Sequence, residues 1–212
     1  MSLPESGVTD PIVWIDCEMT GLDLATDALI EIAAVVTDSS LTPLGEGVDI
    51  VIKPPEAALA QMSDFVRQMH SASGLLDQLS RGVSLAEAEN QVMDYVRAHV
   101  PTEGKAPLAG NSVGTDRGFI DRDMPRLGAH LHYRTIDVSS VKELARRWYP
   151  RLYFAAPAKL GDHRALADIH DSIDELRYYR ASMFVREPGP DSDTARATAL
   201  VVQESSARRL RG

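Results

Sequence analysis

The stretch Trp14-Ile15-Asp16-Cys17-Glu18-Met19, preceded by Ile12-Val13, sets two acids inside an apolar run and constrains the fold more than any other segment. In a strand successive side chains alternate faces. Asp16 and Glu18 then project the same way, about 6.6 Å apart along the chain, and Cys17 points to the opposite, buried side. A solvated edge strand would also show such a pair, but the residues before it are almost wholly apolar, unlike such an edge. Asp116 and Asp168, the latter five residues beyond His163, are further acids in partly apolar surroundings. Acids this scattered in sequence imply one shared pocket. At a separation of about 4 Å and an effective dielectric near 20, each like-charge pair costs ~4 kcal/mol. Either their pKa values rise or a hard divalent ion neutralises them. Carboxylates without Cys or several His beside them suit Mg²⁺ or Mn²⁺ rather than Zn²⁺, and that implies phosphoryl chemistry.

A chain of 212 residues is most simply one domain with a substantial core. Its 44% hydrophobic and 25% charged residues fit an ordinary globular protein, and no apolar run approaches the roughly 20 residues of a membrane span. Met1-Ser2-Leu3-Pro4-Glu5-Ser6 lacks the pattern of a signal peptide, and a single Cys excludes an internal disulfide, so a cytoplasmic protein is expected. The net charge of −9 excludes the broad basic field that grips long nucleic acid. A nucleic-acid substrate would have to be short and held locally.

Residues 12–16 predict a buried strand, Leu29 to Thr37 a second and Val48 to Lys53 a third, stopped by Pro54-Pro55. Short turns between them predict an antiparallel meander. One helix is expected over Leu59 to His70, with Met62, Phe65, Val66 and Met69 on one side. Ser84-Leu85-Ala86-Glu87 is a capping-box signature before the helical stripe Leu85, Ala88, Val92, Val96, Val100. Pro107 to Gly110 and Thr135 to Val138 read as short strands. Helices are expected from near Asp116, from a Ser139 cap to Trp148, and along Leu166, Ile169, Ile173, Leu176 and Met183. The fold class is α/β: a mixed sheet of about five strands flanked by helices. Residues 1–9 read as a flexible N-terminus, 10–186 as the domain, and 187–212 as a linker-like tail, disordered or weakly helical.

Five residues on one helix separate two side chains by about 140°, so His163 and Asp168 cannot share a helical face. A helix start at Gly161 or Asp162 would leave His163 in the entry loop and Asp168 facing the sheet. A histidine beside a metal site suits a general base, since its unperturbed pKa lies near 6.5. Read alone, His163 is more simply a residue that caps or packs a helix start, and Asp116 a helix N-terminal acid.

Together, Trp14 to Leu22, Gly110-Asn111-Ser112-Val113-Gly114-Thr115-Asp116, His132-Tyr133-Arg134, Asp137 to Trp148, and His163-Arg164-Ala165-Leu166-Ala167-Asp168-Ile169 resemble the oligoribonucleases. These are DEDDh-type 3′→5′ exoribonucleases with a ribonuclease-H-like fold. The resemblance spans roughly residues 10 to 185 and excludes the tail, which looks actinobacterial. It implies a homodimer that degrades very short RNA, down to dinucleotides, with two divalent cations. By it Asp16, Glu18, Asp116 and Asp168 match the metal-binding acids and His163 the general base. Leu22 resembles a wedge between bases and His70 a contact near the scissile phosphate. Ser112, Ser139 and a partner-supplied Arg134 resemble a cap on a 5′ phosphate, and a partner-supplied Tyr133 a stacking platform. Phe65 stands where the family usually has Trp, which keeps stacking and loses an indole hydrogen bond. Ala167 replaces a frequent acid, and Cys17 a frequent Leu.

Two rival readings compete, one of the same chemistry on another substrate and one non-catalytic on the same fold. A proofreading-type DNA exonuclease should show more Lys and Arg near its pocket. A non-catalytic scaffold should have lost acids, whereas all five catalytic positions are filled here. A zinc hydrolase fits less well, as the chain has no His-Glu-x-x-His motif.

Overall fold

The computed structural model describes residues 10–158 and 163–209. The N-terminal segment 1–9 lies outside the described residues, as do Gly161 and Asp162; the helix expected to start there begins instead at Ala165, after an extended Arg164.

The sheet runs in the order β3-β2-β1-β4-β5. Its strands are β1 (Ile12–Met19), β2 (Leu29–Thr37), β3 (Val48–Val51), β4 (Pro107–Gly110) and β5 (His132–Asp137). The first three pair antiparallel, as a meander should, while β4 and β5 join parallel to β1. The mixed five-stranded sheet expected from the sequence is therefore present.

Alternation along β1 builds both faces of the core. Val13, Ile15, Cys17 and Met19 pack with Val92 and Val96 of α3 (Leu85–His99) and Phe119 and Ile120 of α4 (Gly114–Asp123). Ile12 and Trp14 lie on the other face, against Val138 of α6 (Val138–Trp148) and Ile169 and Ile173 of α8 (Ala165–Met183). Asp16 and Glu18 follow in that second register, under α8. Trp14 is wholly buried, and its indole N–H donates to Thr37 Oγ1 at 3.0 Å. β1 reads apolar on both faces because helices cover both.

The structure corrects three expectations. The single helix over Leu59 to His70 is two, α1 (Glu56–Gln61) and α2 (Asp64–Ala72). Ser63 is extended between them and its hydroxyl accepts the Val66 N–H at 3.3 Å, so a local cap starts a new helix. Met62 is buried in the break, whereas Phe65 is 76% exposed. β5 begins at His132 rather than Thr135, and Val138 already belongs to α6. The cap of α6 is Asp137, whose Oδ1 accepts the Ser139 N–H at 2.9 Å, and the Ser139 hydroxyl is left for other contacts.

The short helices α5 (Pro125–His130) and α7 (Pro150–Phe154) complete the domain. Beyond it, residues 192–209 form α9 (Ser192–Arg209), with Leu200, Val201 and Val202 exposed. Among the described residues no helix is long and apolar enough to cross a membrane.

Candidate active site

Three acids meet where β1 passes beneath the start of α8. One carboxylate oxygen each from Asp16, Glu18 and Asp168 lie within 4.8 Å of one another. Two come from alternate positions of one strand and the third from the first turn of a helix, where the Asp168 N–H donates to the Arg164 carbonyl at 3.0 Å. Asp116, in the first turn of α4, stands outside that close set. Its Oδ1 accepts the Cys17 N–H at 3.0 Å, which ties α4 to the middle of β1.

The electrostatics are those of an under-neutralised anionic pocket. Burial first, then the charges of Glu31, Asp168 and Asp116, push the Glu18 carboxyl up to about 8, with Arg164 opposing. Burial raises Asp116 to about 7 against its backbone hydrogen bonds. Oxygen donors alone, crowded and short of positive charge, fit a hard divalent cation. Cys17 packs in the core on the other face of β1, where burial and the nearby acids push its thiol well up.

The two candidate histidines are placed differently. His70, at the end of α2, is completely buried. Its Nε2 lies 2.9 Å from the Met19 carbonyl oxygen, which assigns the ring proton to that nitrogen. Nδ1 has no hydrogen-bond partner and lies 3.8 Å from Glu18 Oε2. Burial, with His163 adding to it, lowers the His70 pKa. His70 thus sits behind Glu18 and not at the mouth of the site. His163 is exposed in the entry loop before α8, with its backbone in the left-handed region at φ 51°. It lines an open cleft of about 870 Å³ together with Phe65, Met69 and Arg164.

The remaining sequence candidates occupy two other places. Leu22 is 75% exposed on the loop leaving β1. That loop is stapled by Asp27, which accepts from the Thr20 hydroxyl at 2.8 Å and the Asp23 N–H at 2.9 Å. A Cβ on Gly21 would lie 2.4 Å from Asp27 Oδ2, so a larger residue there would displace the Asp27 carboxylate. Ser112 (φ 53°) donates its N–H to Asp137 Oδ1 and Ser139 Oγ, and the two serine hydroxyls are 3.3 Å apart. Ser139 in turn donates to Asn111 Oδ1, and Asn111 Nδ2 donates to Ser172 on α8 at 2.8 Å. Tyr133 is 76% exposed with the Arg134 guanidinium 5.4 Å from its ring centre. Arg134 lines a separate cleft with Lys105 and His132.

Sequence reasoning passed over four residues that hold this site: Asp27, Asn111, Glu31 and Arg164. Glu31 left a signal, being the lone charge in Leu29–Thr37. Its carboxylate is fully buried and takes hydrogen bonds from Arg164 Nε at 2.8 Å and the Ala165 N–H at 3.0 Å.

Comparison with known proteins agrees with this geometry. Residues 13–176 match the RNase T family, described as exonuclease. An oligoribonuclease of Streptomyces griseus is 69% identical over 192 residues, 91% of this chain and 96% of that protein. One from Rhodococcus jostii is 63% identical over 196 residues, 92% of this chain and 97% of that protein. The zinc-ion-bound form of E. coli ExoI with ssDNA superposes with a TM-score of 0.65 at 16% identity, over 82% of this chain and 41% of that longer one. The mixed sheet with its flanking helices is thus the exonuclease, ribonuclease-H-like fold.

Proposed function

The chain belongs to the RNase T exonuclease family, and from that premise we propose that it is a 3′→5′ exoribonuclease acting on very short RNA. Dinucleotides are the preferred substrates in this reading, and nucleoside 5′-monophosphates the products. The relatives named oligoribonuclease support the substrate class. The observation that carries the reading is the set of Asp16, Glu18 and Asp168 oxygens within 4.8 Å of one another.

Two Mg²⁺ or Mn²⁺ ions held by Asp16, Glu18 and Asp168, with Asp116 beside them, would offset the repulsion between acids and phosphate and stabilise the leaving oxygen. The chain's own groups do the rest. His163 accepts the proton of the attacking water at an imidazole nitrogen, for which its exposed loop position leaves room. His70, buried with Nδ1 3.8 Å from Glu18 Oε2, lies close to where the scissile phosphate would sit. Leu22 and Phe65, both strongly exposed, offer apolar surface to the bases. Ser112 and Ser139 present adjacent hydroxyls to a terminal 5′ phosphate, joined by Arg134 and Tyr133 from a second copy of this chain. The exposure of Tyr133 and the separate cleft of Arg134 support supply from another protomer. A homodimer in the cytoplasm completes the reading, consistent with a single buried thiol.

Hydrolysis of 5′-phosphorylated RNA from two to about seven nucleotides, with and without chelator, tests the proposal. Cleavage should need a divalent ion and be fastest on the shortest piece. A preference for long RNA removes the phosphate cap from the reading, and chelator-resistant turnover removes the metal.

A further inference from the structure

Glu31 is a charged side chain in the middle of an apolar strand, completely buried, directly opposite Glu18 in the β1–β2 register. A buried carboxylate at such a place must be answered by donors: a guanidinium and a backbone amide reach it from the entry to α8, and Asp49 on the neighbouring strand shares a hydrogen bond with it. Oε1 accepts from Arg164 Nε at 2.8 Å and lies 2.6 Å from Arg164 Nη2, while Oε2 accepts the Ala165 N–H at 3.0 Å. The geometry is a planar guanidinium on one oxygen and a helix-terminal amide on the other. Asp49 on the neighbouring strand adds a second carboxylate, 3.6 Å from Arg164 Nη2. These contacts leave Glu31 as an anchor for the chain and not as an ion ligand.

What the anchor holds is the residue just before it. His163 is a non-glycine residue at φ 51°, a conformation that persists only where the surroundings over-determine it. Arg164 and Ala165, the two residues that follow, are the two that Glu31 grips. Arg164 also shares the cleft wall with His163. We propose that Glu31 and Arg164 form a clamp that positions His163 over the carboxylates, so that Glu31 is a positioning residue for proton removal. The inference rests on the proposed role of His163 and goes beyond it by naming what places the imidazole.

Misplacing a reacting group by about 1 Å can cost a hundred-fold in rate. Arg164→Lys keeps the positive charge and loses the planar two-nitrogen grip. It should lower kcat on a 5′-phosphorylated dinucleotide by about ten-fold or more, with KM changed less than about three-fold. Glu31→Gln should do the same, and Arg164→Lys serves alone if that buried change prevents folding. The decisive readout is the His163→Ala background under single-turnover conditions. There, Arg164→Lys should change the rate by less than about two-fold, because the clamp has no imidazole left to place. Mn²⁺ affinity, titrated calorimetrically on the chain without substrate, should stay within about three-fold. An equal loss in both backgrounds, or full activity of Arg164→Lys, overturns the clamp while the role of His163 stands. A His163→Ala chain as active as the parent overturns that role and the clamp with it.

Discussion

At the scale of single residues, Asp16 separates charge from shape most cleanly. Asp16→Asn keeps the side-chain volume and removes one of three crowded carboxyl groups. Turnover of a dinucleotide should fall by at least about 100-fold and Mn²⁺ affinity by at least about ten-fold. The melting temperature in chelator should hold or rise, because a like-charge repulsion is gone. Rate assays, calorimetric titration and thermal unfolding on one preparation check all three, and unchanged turnover would remove Asp16 from the site. Strand alternation alone makes Asp16 and Glu18 readable as a pair, and the close set in the fold agrees. Glu31 leaves a signal of the same kind, yet alternation assigns it only a face. Its meaning depends on Arg164, 133 residues away, and no spacing rule spans that distance. The buried placement of His70 is hidden for a similar reason: it depends on β1 passing over the end of α2 and offering the Met19 carbonyl.

At the scale of elements, legibility follows length. β2 has the bounds its apolar run predicts, Leu29 to Thr37, and α3 follows its capping box, with Ser84 Oγ accepting the Glu87 N–H at 3.2 Å. The helices α5 and α7, six and five residues long and each opened by proline, are too short for a 3.6-residue period to show. The break between α1 and α2 is decided by one hydroxyl against a continuous apolar stripe. Ser63→Ala should therefore cost about 1 kcal/mol, read as a lower urea midpoint at unchanged slope. Amide exchange at Val66, whose N–H the hydroxyl accepts, should speed up. Because Phe65 lies in the first turn of α2 and lines the His163 cleft, the same change should raise KM for a dinucleotide. A midpoint and a Val66 exchange rate equal to the parent's would mean the stripe, not the serine, sets the helix boundary.

At the scale of the whole molecule, an acidic chain with net charge −9 folds around acids it cannot neutralise alone, and this gives its stability a particular pH dependence. Burial lifts Glu18 from 4.5 to about 8 and Asp116 from 3.8 to about 7. Between the unfolded and folded values the metal-free native state binds more protons than the unfolded chain. Unfolding free energy then falls as pH rises, since its slope follows the protons bound unfolded minus those bound folded. That stabilising contribution is complete below the unfolded values and is lost as pH passes 7 and then 8. His70 acts the other way, because burial lowers its pKa from 6.5, so it favours folding as pH rises up to that value. Above pH 6.5 the two carboxyls are left to dominate. In chelator and constant ionic strength, the melting temperature should decline by several degrees from pH 6.5 to 8.5. With millimolar Mg²⁺ the decline should vanish or reverse, since binding releases those protons and gains from their absence. Thermal unfolding at four pH values, with and without Mg²⁺, makes the comparison. A chelated chain that grows more stable across this window would show that the raised pKa values of Glu18 and Asp116 do not govern its stability.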